Sequence, residues 1–495
     1  MSGGLEGRER GVFGSAGMVV MVVERGGNFR GELVRGAMAG GTKNVKKAGV
    51  IRVVSLLFLF FFSNLTFDLT APSTLKDQAV IIGGEPSDTT YGDYQGEMDV
   101  FNRAFCEVMM EGDAKGRVFT FPIPTINITK DFDWNSPSVN AFMRTACKYG
   151  IPYFANYVNS ELSPEDAVSM CCRLRLDTTE LRRRGGGLFG SNPLTGSIGV
   201  YTINLPRIGY LAATKQEFKA RLWRLVQVGR TSLELKRKII EQQTEQGLYP
   251  YSANYLKPVY DRTGEYWHNH FATIGIVGMN EALLNFMGKD IASPEGREFA
   301  KEIMEYMRQL LIAIQDETKH VYNLEATPAE GTAHRLARLD KAKYPEILAA
   351  GNGTPYYTNS TQLPVGFSND LFKVLMLQDD LQALYTGGTV LHAYLGESID
   401  DIEVAKRFIQ KAFARFKLPY LSLTPTFSVC QEHGYIRGEH FKCPHCGAKT
   451  EVWSRVTGYL RPVANYNEGK KQEYFDRQKF EIGADARKAE AEAGN

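Results

Sequence analysis

The chain has 495 residues, with 58 Lys and Arg against 56 Asp and Glu, so its net charge is +2. That length holds one large or two to three ordinary domains, and a hydrophobic share of 43% suits a globular chain with a sizeable core. The near-neutral balance gives no ground for a nucleic-acid or acidic partner, and seven cysteines, at 106, 147, 171, 172, 430, 443 and 446, suit a reducing cytoplasm better than a disulfide scaffold.

Residues 1–62 differ from the rest. They are rich in Gly and Arg, lack periodic apolar faces, and end in the apolar run 51–62. A membrane-spanning helix needs about 20 such residues, so the run is too short. It also lies far from the start for a signal sequence and has no small-x-small site after it. This leader is expected to be foreign to the fold, through a mis-set start or an insertion in the gene, and to be poorly ordered. A membrane anchor and an unrecognised extension are the alternatives.

From Ser63 onward helices and strands alternate. Residues 117–123 read as a β-rich run ended by prolines, 151–158 as a buried strand, and 197–205 as a third strand closed by Pro206. Thr214 and Glu217 form a capping box before Phe218, Leu222, Leu225 and Val226, which recur at helical spacing. Ser293-Pro294-Glu295 starts a helix with Phe299, Ile303, Met307, Leu310 and Leu311 on one face. Ser398 and Asp401 are read as caps of a helix through Val404, Phe408 and Phe413. Helices alternating with isolated apolar strands imply an α/β architecture with a largely parallel sheet. The charged tail from about Glu473 reads as a solvated helix or frayed end.

Several stretches carry chemistry. Met170-Cys171-Cys172-Arg173 taken alone reads as a structural thiol pair, since free Cys is usually buried. It is followed by Thr195-Gly196-Ser197, by Asn204-Leu205-Pro206-Arg207-Ile208, and by the segment 324–333, Leu-Glu-Ala-Thr-Pro-Ala-Glu-Gly-Thr-Ala. Residues 356–364, containing Asn359-Ser360-Thr361, and 385–390, containing Gly387-Gly388-Thr389, offer hydroxyls, amides and glycines. They read as helix starts, whose free N–H groups can hold phosphate. There is no Gly-x4-Gly-Lys-Ser/Thr loop, so an ordinary P-loop NTPase is not supported.

Near the C-terminus, Cys430-x2-His433 and Cys443-Pro444-His445-Cys446 are separated by nine residues. Two chelating pairs on tight turns joined by a hairpin is what a tetrahedral structural Zn2+ requires. Gly434 and Gly447 follow the pairs, where the chain must turn under the metal. His440 and His445 compete with His433 for the fourth position. Arg455-Val456-Thr457-Gly458-Tyr459-Leu460 comes next; on the hexapeptide alone, Gly458 reads as a turn glycine.

Together these stretches, from about residue 63 to 485, resemble the anaerobic (class III) ribonucleoside-triphosphate reductases, which are glycyl radical enzymes. The resemblance implies a ten-stranded β/α barrel over 63–425, incomplete in its N-terminal half, with a zinc ribbon and glycyl radical loop over 426–485 and a tail over 486–495. Typical members have a longer N-terminal part, so the chain is expected to be truncated relative to them. The ribbon's Cys-x2-His pair departs from the family's usual four cysteines.

Residue roles follow from the same resemblance. Gly458 matches the glycine that stores the radical; without a side chain, its Cα can become planar. Cys172 matches the cysteine that becomes a thiyl, and the two are expected within a few ångströms of each other. Cys171 is either a second redox thiol or a passive replacement. Asn204 is a partner for the ribose or the loop. Asn359, Ser360, Thr361, Gly387, Gly388 and Thr389 are nucleotide-binding candidates.

The implied partners are a radical-SAM [4Fe-4S] activase, nucleoside triphosphate substrates, ATP or dNTP effectors, a second copy in a homodimer, and formate or a thioredoxin-like reductant. Two other readings compete. One is a formate-lyase-like glycyl radical enzyme. The other is a zinc-ribbon nucleic-acid-binding module, for which Arg182-Arg183-Arg184 is the strongest basic run.

Overall fold

A computed structural model describes residues 64–71, 76–82, 84–113, 117–159 and 194–480, together with the backbone of 167–170 and 174–177. The expectations for the leader, for Cys171 and Cys172, for Arg182–Arg184 and for the last fifteen residues fall outside these.

In chain order the elements are β1 (Asn64–Phe67), β2 (Ala79–Ile82), β3 (Glu85–Thr90), α1 (Gln95–Glu111), β4 (Ile123–Ile128), α2 (Pro137–Tyr149) and β5 (Tyr153–Asn156). Next come β6 (Ala167–Met170), β7 (Leu174–Asp177), β8 (Ser197–Asn204), α3 (Leu205–Leu211), α4 (Lys215–Glu245), α5 (Pro250–Tyr255), α6 (Lys257–Thr263), β9 (Phe271–Val277) and α7 (Met279–Met287). The chain continues through α8 (Pro294–Thr318), β10 (Tyr322–Glu325), α9 (Glu330–Lys343), α10 (Leu371–Gln382), β11 (Leu391–Leu395), α11 (Ile402–Arg415) and β12 (Tyr420–Pro425). It ends with β13 (Phe427–Cys430), β14 (Gly434–Arg437), β15 (Glu451–Arg455), β16 (Leu460–Pro462) and α12 (Glu468–Asp476).

Two sheets carry the core. One runs β1-β4-β5-β12-β11 and the other β10-β9-β8. Every pairing in them is parallel except β5 with β12. The largely parallel α/β expectation therefore holds. Among the described residues these sheets hold eight strands, not ten, and a closed ten-stranded barrel is not among what they form. The free edge of β10 is covered by 386–388: Leu324 N–H donates to Thr386 Oγ1 at 2.9 Å, Gly387 N–H to Leu324 O at 2.7 Å, and Ala326 N–H to Gly388 O at 3.0 Å. That segment runs directly into β11, so it joins the edge of one sheet to the edge of the other.

Helices cover the sheets as their apolar stripes dictate. Phe218, Leu222, Val226 and Leu233 of α4 are buried against β8 and β9, and Phe299, Ile303, Met307 and Leu311 of α8 are buried too. Thr214 Oγ1 accepts from Glu217 N–H at 3.1 Å, but the Glu217 carboxylate returns to Ala213 N–H at 2.9 Å and not to Thr214, so only half of the expected box forms; Ser293 Oγ accepts from Gly296 N–H at 3.2 Å as read. No helix among the described residues is long and apolar enough to cross a membrane.

Three sequence expectations are corrected. Residues 117–122 form no strand; β4 begins at Ile123, after Pro122. Pro124 lies inside β4, opposite Leu65 of β1, but β5 pairs only from Thr125 onward, so the missing N–H falls where β5 does not need it. Asp401, not Ser398, caps α11, accepting from Glu403 N–H at 2.8 Å. The tail is not frayed at Glu473. Glu473, Tyr474 and Arg477 are buried, because α12 packs beneath the β15–β16 hairpin.

Candidate active site and metal centre

β15 and β16 form an antiparallel hairpin whose turn, residues 456–459, carries Gly458. Val456 N–H donates to Tyr459 O at 3.0 Å and closes the turn. Gly458 is buried. Its carbonyl accepts from Arg455 Nη1 at 2.8 Å and from the Tyr153 hydroxyl. Arg455 also donates to Tyr153 Oη at 3.0 Å, to Thr424 Oγ1 at 3.2 Å and to Gly150 O at 2.5 Å. Its guanidinium sits 4.7 Å from the centre of the Tyr153 ring. Tyr153 opens β5 and Thr424 lies on β12, so the glycine turn is fastened to the one antiparallel junction of the five-stranded sheet. A planar fork of donors is what lets one buried Arg satisfy several acceptors at once.

The segment 324–333 reaches the same hairpin. Tyr459 Oη donates to Glu330 Oε2 at 3.1 Å, and Arg461 lies 3.6 Å from Glu330 Oε1. Behind the hairpin, Arg477 Nη1 donates to Arg455 O at 3.1 Å, while Glu473 holds both Arg477 at 3.0 Å and Lys470 at 2.5 Å. These two cations keep the buried Glu473 carboxyl below its usual range despite desolvation.

β13 pairs with both β14 and β15, so the cysteine–histidine ribbon and the glycine hairpin share one sheet of order β14-β13-β15-β16. The ligand atoms of Cys430, His433, Cys443 and Cys446 lie within 4.8 Å of one another. Cys430 Sγ is 3.7 Å from His433 Nδ1 and 3.7 Å from Cys446 Sγ, and Cys443 Sγ is 3.7 Å from His433 Nδ1. Ligands about 2.1–2.3 Å from zinc at tetrahedral angles are roughly 3.5–3.8 Å apart, so the donor set fits Zn2+ with no open position. His433 is the histidine in the cluster, and His440 and His445 are not part of it. Gly434 and Gly447 take φ of +67° and +74°, the left-handed turns expected beneath the metal. The backbone N–H and imidazole of His433 draw the Cys430 thiol down to about 6, toward the thiolate that a metal needs.

The remaining candidates are placed as follows. Cys172 and Cys171 lie outside the described residues; the flanking β6 and β7 pair antiparallel, Met170 opposite Leu174, and β6 lies beside β1. Asn204 is the cap of α3, its Oδ1 accepting from Arg207 N–H at 3.4 Å and its Nδ2 donating to the buried Asp340 at 2.7 Å. Asp340 also holds Arg207 at 2.6 Å and the Tyr357 hydroxyl at 2.8 Å.

Asn359, Ser360, Thr361, Gly387, Gly388 and Thr389 are in loops and not at helix starts, which corrects the sequence reading. Ser360 has a φ of +49° and its carbonyl accepts from Met279 N–H at 3.0 Å. Thr361 Oγ1 accepts from Tyr385 Oη at 3.0 Å, and Thr389 donates to Gln382. A Cβ at Gly387 would stand 2.8 Å from Asn323 Cγ, so only glycine fits against β10 there. These side chains stitch loops to β9, β10 and α10. Asn359 Oδ1 is buried without a partner.

Sequence reasoning missed Tyr153, which carried no signal beyond an apolar strand. It also left Arg455 without a role, although it stands three residues before Gly458.

The family model described as anaerobic ribonucleoside-triphosphate reductase matches residues 60–480. The chain belongs to the anaerobic ribonucleoside-triphosphate reductase family. Curated reductases of that name are similar: that of Haemophilus influenzae is 25% identical over 296 residues, 56% of this chain and 41% of the relative. That of Salmonella typhimurium is 26% identical over 304 residues, again 56% and 41%. The match spans about two fifths of the length of these reductases.

The fold is also that of solved anaerobic ribonucleotide reductases. One aligns with a TM-score of 0.65 at 21% identity, covering 91% of this chain and 70% of the other. The Thermotoga maritima reductase with MES in the active site aligns at 0.59 and 23%, covering 78% and 62%.

Proposed function

We propose that this chain reduces ribonucleoside triphosphates to deoxyribonucleoside triphosphates, with the radical stored at Gly458 and passed to Cys172. The observation that carries the reading is a buried glycine on a hairpin continuous with a four-ligand metal ribbon, its carbonyl gripped by Arg455 and Tyr153. The ribbon gives the turn a stiff base, so a glycine loop that leaves to meet its activase returns to one place.

In this reading a radical-SAM activase with a [4Fe-4S] cluster removes one hydrogen atom from the Gly458 Cα. The glycyl radical takes the hydrogen of the Cys172 thiol, re-forming Gly458 Cα–H and leaving a sulfur radical. That radical takes the 3′ hydrogen of the ribose. The 2′ hydroxyl then leaves as water with one proton, and formate oxidised to carbon dioxide, or a dithiol oxidised to a disulfide, supplies the two electrons and the second proton that form the new C2′–H bond. Cys172 returns its hydrogen to C3′. Each atom transfer requires donor and acceptor within about 3–3.5 Å.

Zn2+ at Cys430, His433, Cys443 and Cys446 is structural. The buried loops at 359–361 and 387–389 border the nucleotide, Asn204 positions it through Asp340, and Cys171 serves as a second thiol when the reductant is thioredoxin-like. The working form is a homodimer in the cytoplasm, and ATP and dNTPs act as effectors. Cys106 and Cys147, buried and outside any disulfide, suit that compartment. The family match disfavours the formate-lyase-like and nucleic-acid-binding readings. The test is anaerobic turnover with an activase and reductant. Deoxynucleotide formation that disappears in Cys172→Ser is expected; turnover surviving that change sinks the mechanism.

A further inference from the structure

Away from the ribbon and the glycine hairpin, the described residues bring together one more set of metal-ligating side chains. Ligand atoms of Glu265, His268 and His320 lie within 4.8 Å of one another. Glu265 and His268 stand in the turn between α6 and β9, and His320 stands just before β10, so the set closes the N-terminal rim of the three-stranded sheet. Glu265 Oε2 is 2.9 Å from His268 Nδ1 and 3.1 Å from His320 Nε2. The other nitrogen of His320, Nδ1, is 2.7 Å from Glu234 Oε2 on α4, whose second oxygen accepts from Tyr322 Oη at 2.5 Å.

Counting lone pairs narrows what this arrangement holds. An ionised Glu234 only accepts, so the hydrogen on His320 is at Nδ1. Nε2 then faces the Glu265 carboxylate at 3.1 Å with a lone pair, unless a cation stands there. That cation is a second proton or a metal ion.

A histidine whose outer nitrogen is held by a carboxylate is the usual way a protein orients a metal-ligating imidazole. Two His and one Glu is also the ligand set of zinc sites that keep a fourth, open position. Tetrahedral N and O ligands about 2.0–2.1 Å from zinc are roughly 3.3 Å apart, within a few tenths of an ångström of the distances here. His320 and His268 are 13% and 23% exposed and Glu265 is 41% exposed, so one side stays open to water.

We propose that Glu265, His268 and His320 form a second divalent-metal site, selective for a first-row transition ion, with Glu234 orienting His320. The site ties the turn before β9 and the loop before β10 to α4. It does not depend on the reductase reading.

The test uses the full chain, stripped with chelator and reloaded with Zn2+ or Co2+ under reducing conditions. Two zinc ions per chain are expected, falling to one in His268→Ala and to one in Cys443→Ser. Cobalt separates the two sites. His268→Ala should keep the near-ultraviolet thiolate-to-metal bands, whereas Cys443→Ser should keep only weak visible bands of a nitrogen and oxygen site. Glu265→Gln should weaken the second equivalent at least tenfold, and because it keeps the side chain's size it stands in if His268→Ala does not fold. A single zinc per wild-type chain, lost wholly in Cys443→Ser and untouched by Glu265→Gln, overturns the proposal.

Discussion

The carbonyl of Gly458 draws two donors, Arg455 from three residues back and Tyr153 from far away in sequence, and their removal should be graded. Tyr153→Phe deletes one hydroxyl while Arg455 still reaches the oxygen, so it should cost about 1 kcal/mol of stability. Arg455→Met leaves Gly150 O, Thr424 Oγ1 and one bond to Gly458 O unserved in a buried place, at about 1–3 kcal/mol for each group left unpaired. Urea midpoints measure both, and equal losses would contradict the division of labour. His270 gives a pH test. Burial, with Arg237 nearby, lowers its pKa to about 4, against about 6.5 when unfolded. The unfolded chain therefore takes up the proton first. The stabilisation is whole above about pH 6.5 and is lost as pH falls toward 4, to a limit of about 3 kcal/mol. His270→Gln should flatten that part of the stability–pH curve, again read from urea midpoints.

At the scale of elements, the ribbon and the glycine hairpin are one sheet, so damage to one should be felt in the other. Cys443→Ser should release the zinc and raise amide exchange not only in β13 and β14 but across β15, the turn and β16, by about tenfold or more. Faster exchange confined to 430–447 would show that the hairpin does not rest on the metal. α12 is the second support. Glu473→Gln leaves Lys470 and Arg477 as buried cations without a counter-charge, costing about 3–5 kcal/mol, against about 1 kcal/mol for loss of the Asn467 cap in Asn467→Ala. Thermal unfolding compares the two. The sequence did not disclose this helix's burial, because a run of Lys, Glu and Arg reads as a solvated face when its partners lie elsewhere in the chain. The long helices were legible, since α4 and α8 declare themselves by cap and stripe. β4 was not placed correctly, because a proline in a strand is tolerable only where a neighbour's pairing stops, and pairing is a tertiary fact. The clustering of Cys430, His433, Cys443 and Cys446 was legible from spacing, and the fold keeps His440 and His445, the competitors the sequence offered for His433, out of the cluster.

For the molecule as a whole, the sheet order explains why the functional stretches are so scattered in sequence. β5, β12 and β15 lie hundreds of residues apart or pair out of order, yet they meet at Gly458 because β12 is the strand that turns the five-stranded sheet antiparallel. The loop at 386–388 spans from β10 to β11, so the segment 324–333 reaches the same end of that sheet. This architecture is predicted to hold a radical at Gly458. The direct measurement is electron paramagnetic resonance after anaerobic activation of the full chain with a radical-SAM activase. A Cα radical with one remaining α-hydrogen is predicted, seen as a doublet, present in Cys172→Ser and absent in Gly458→Ala. The same doublet persisting in Gly458→Ala would contradict the account.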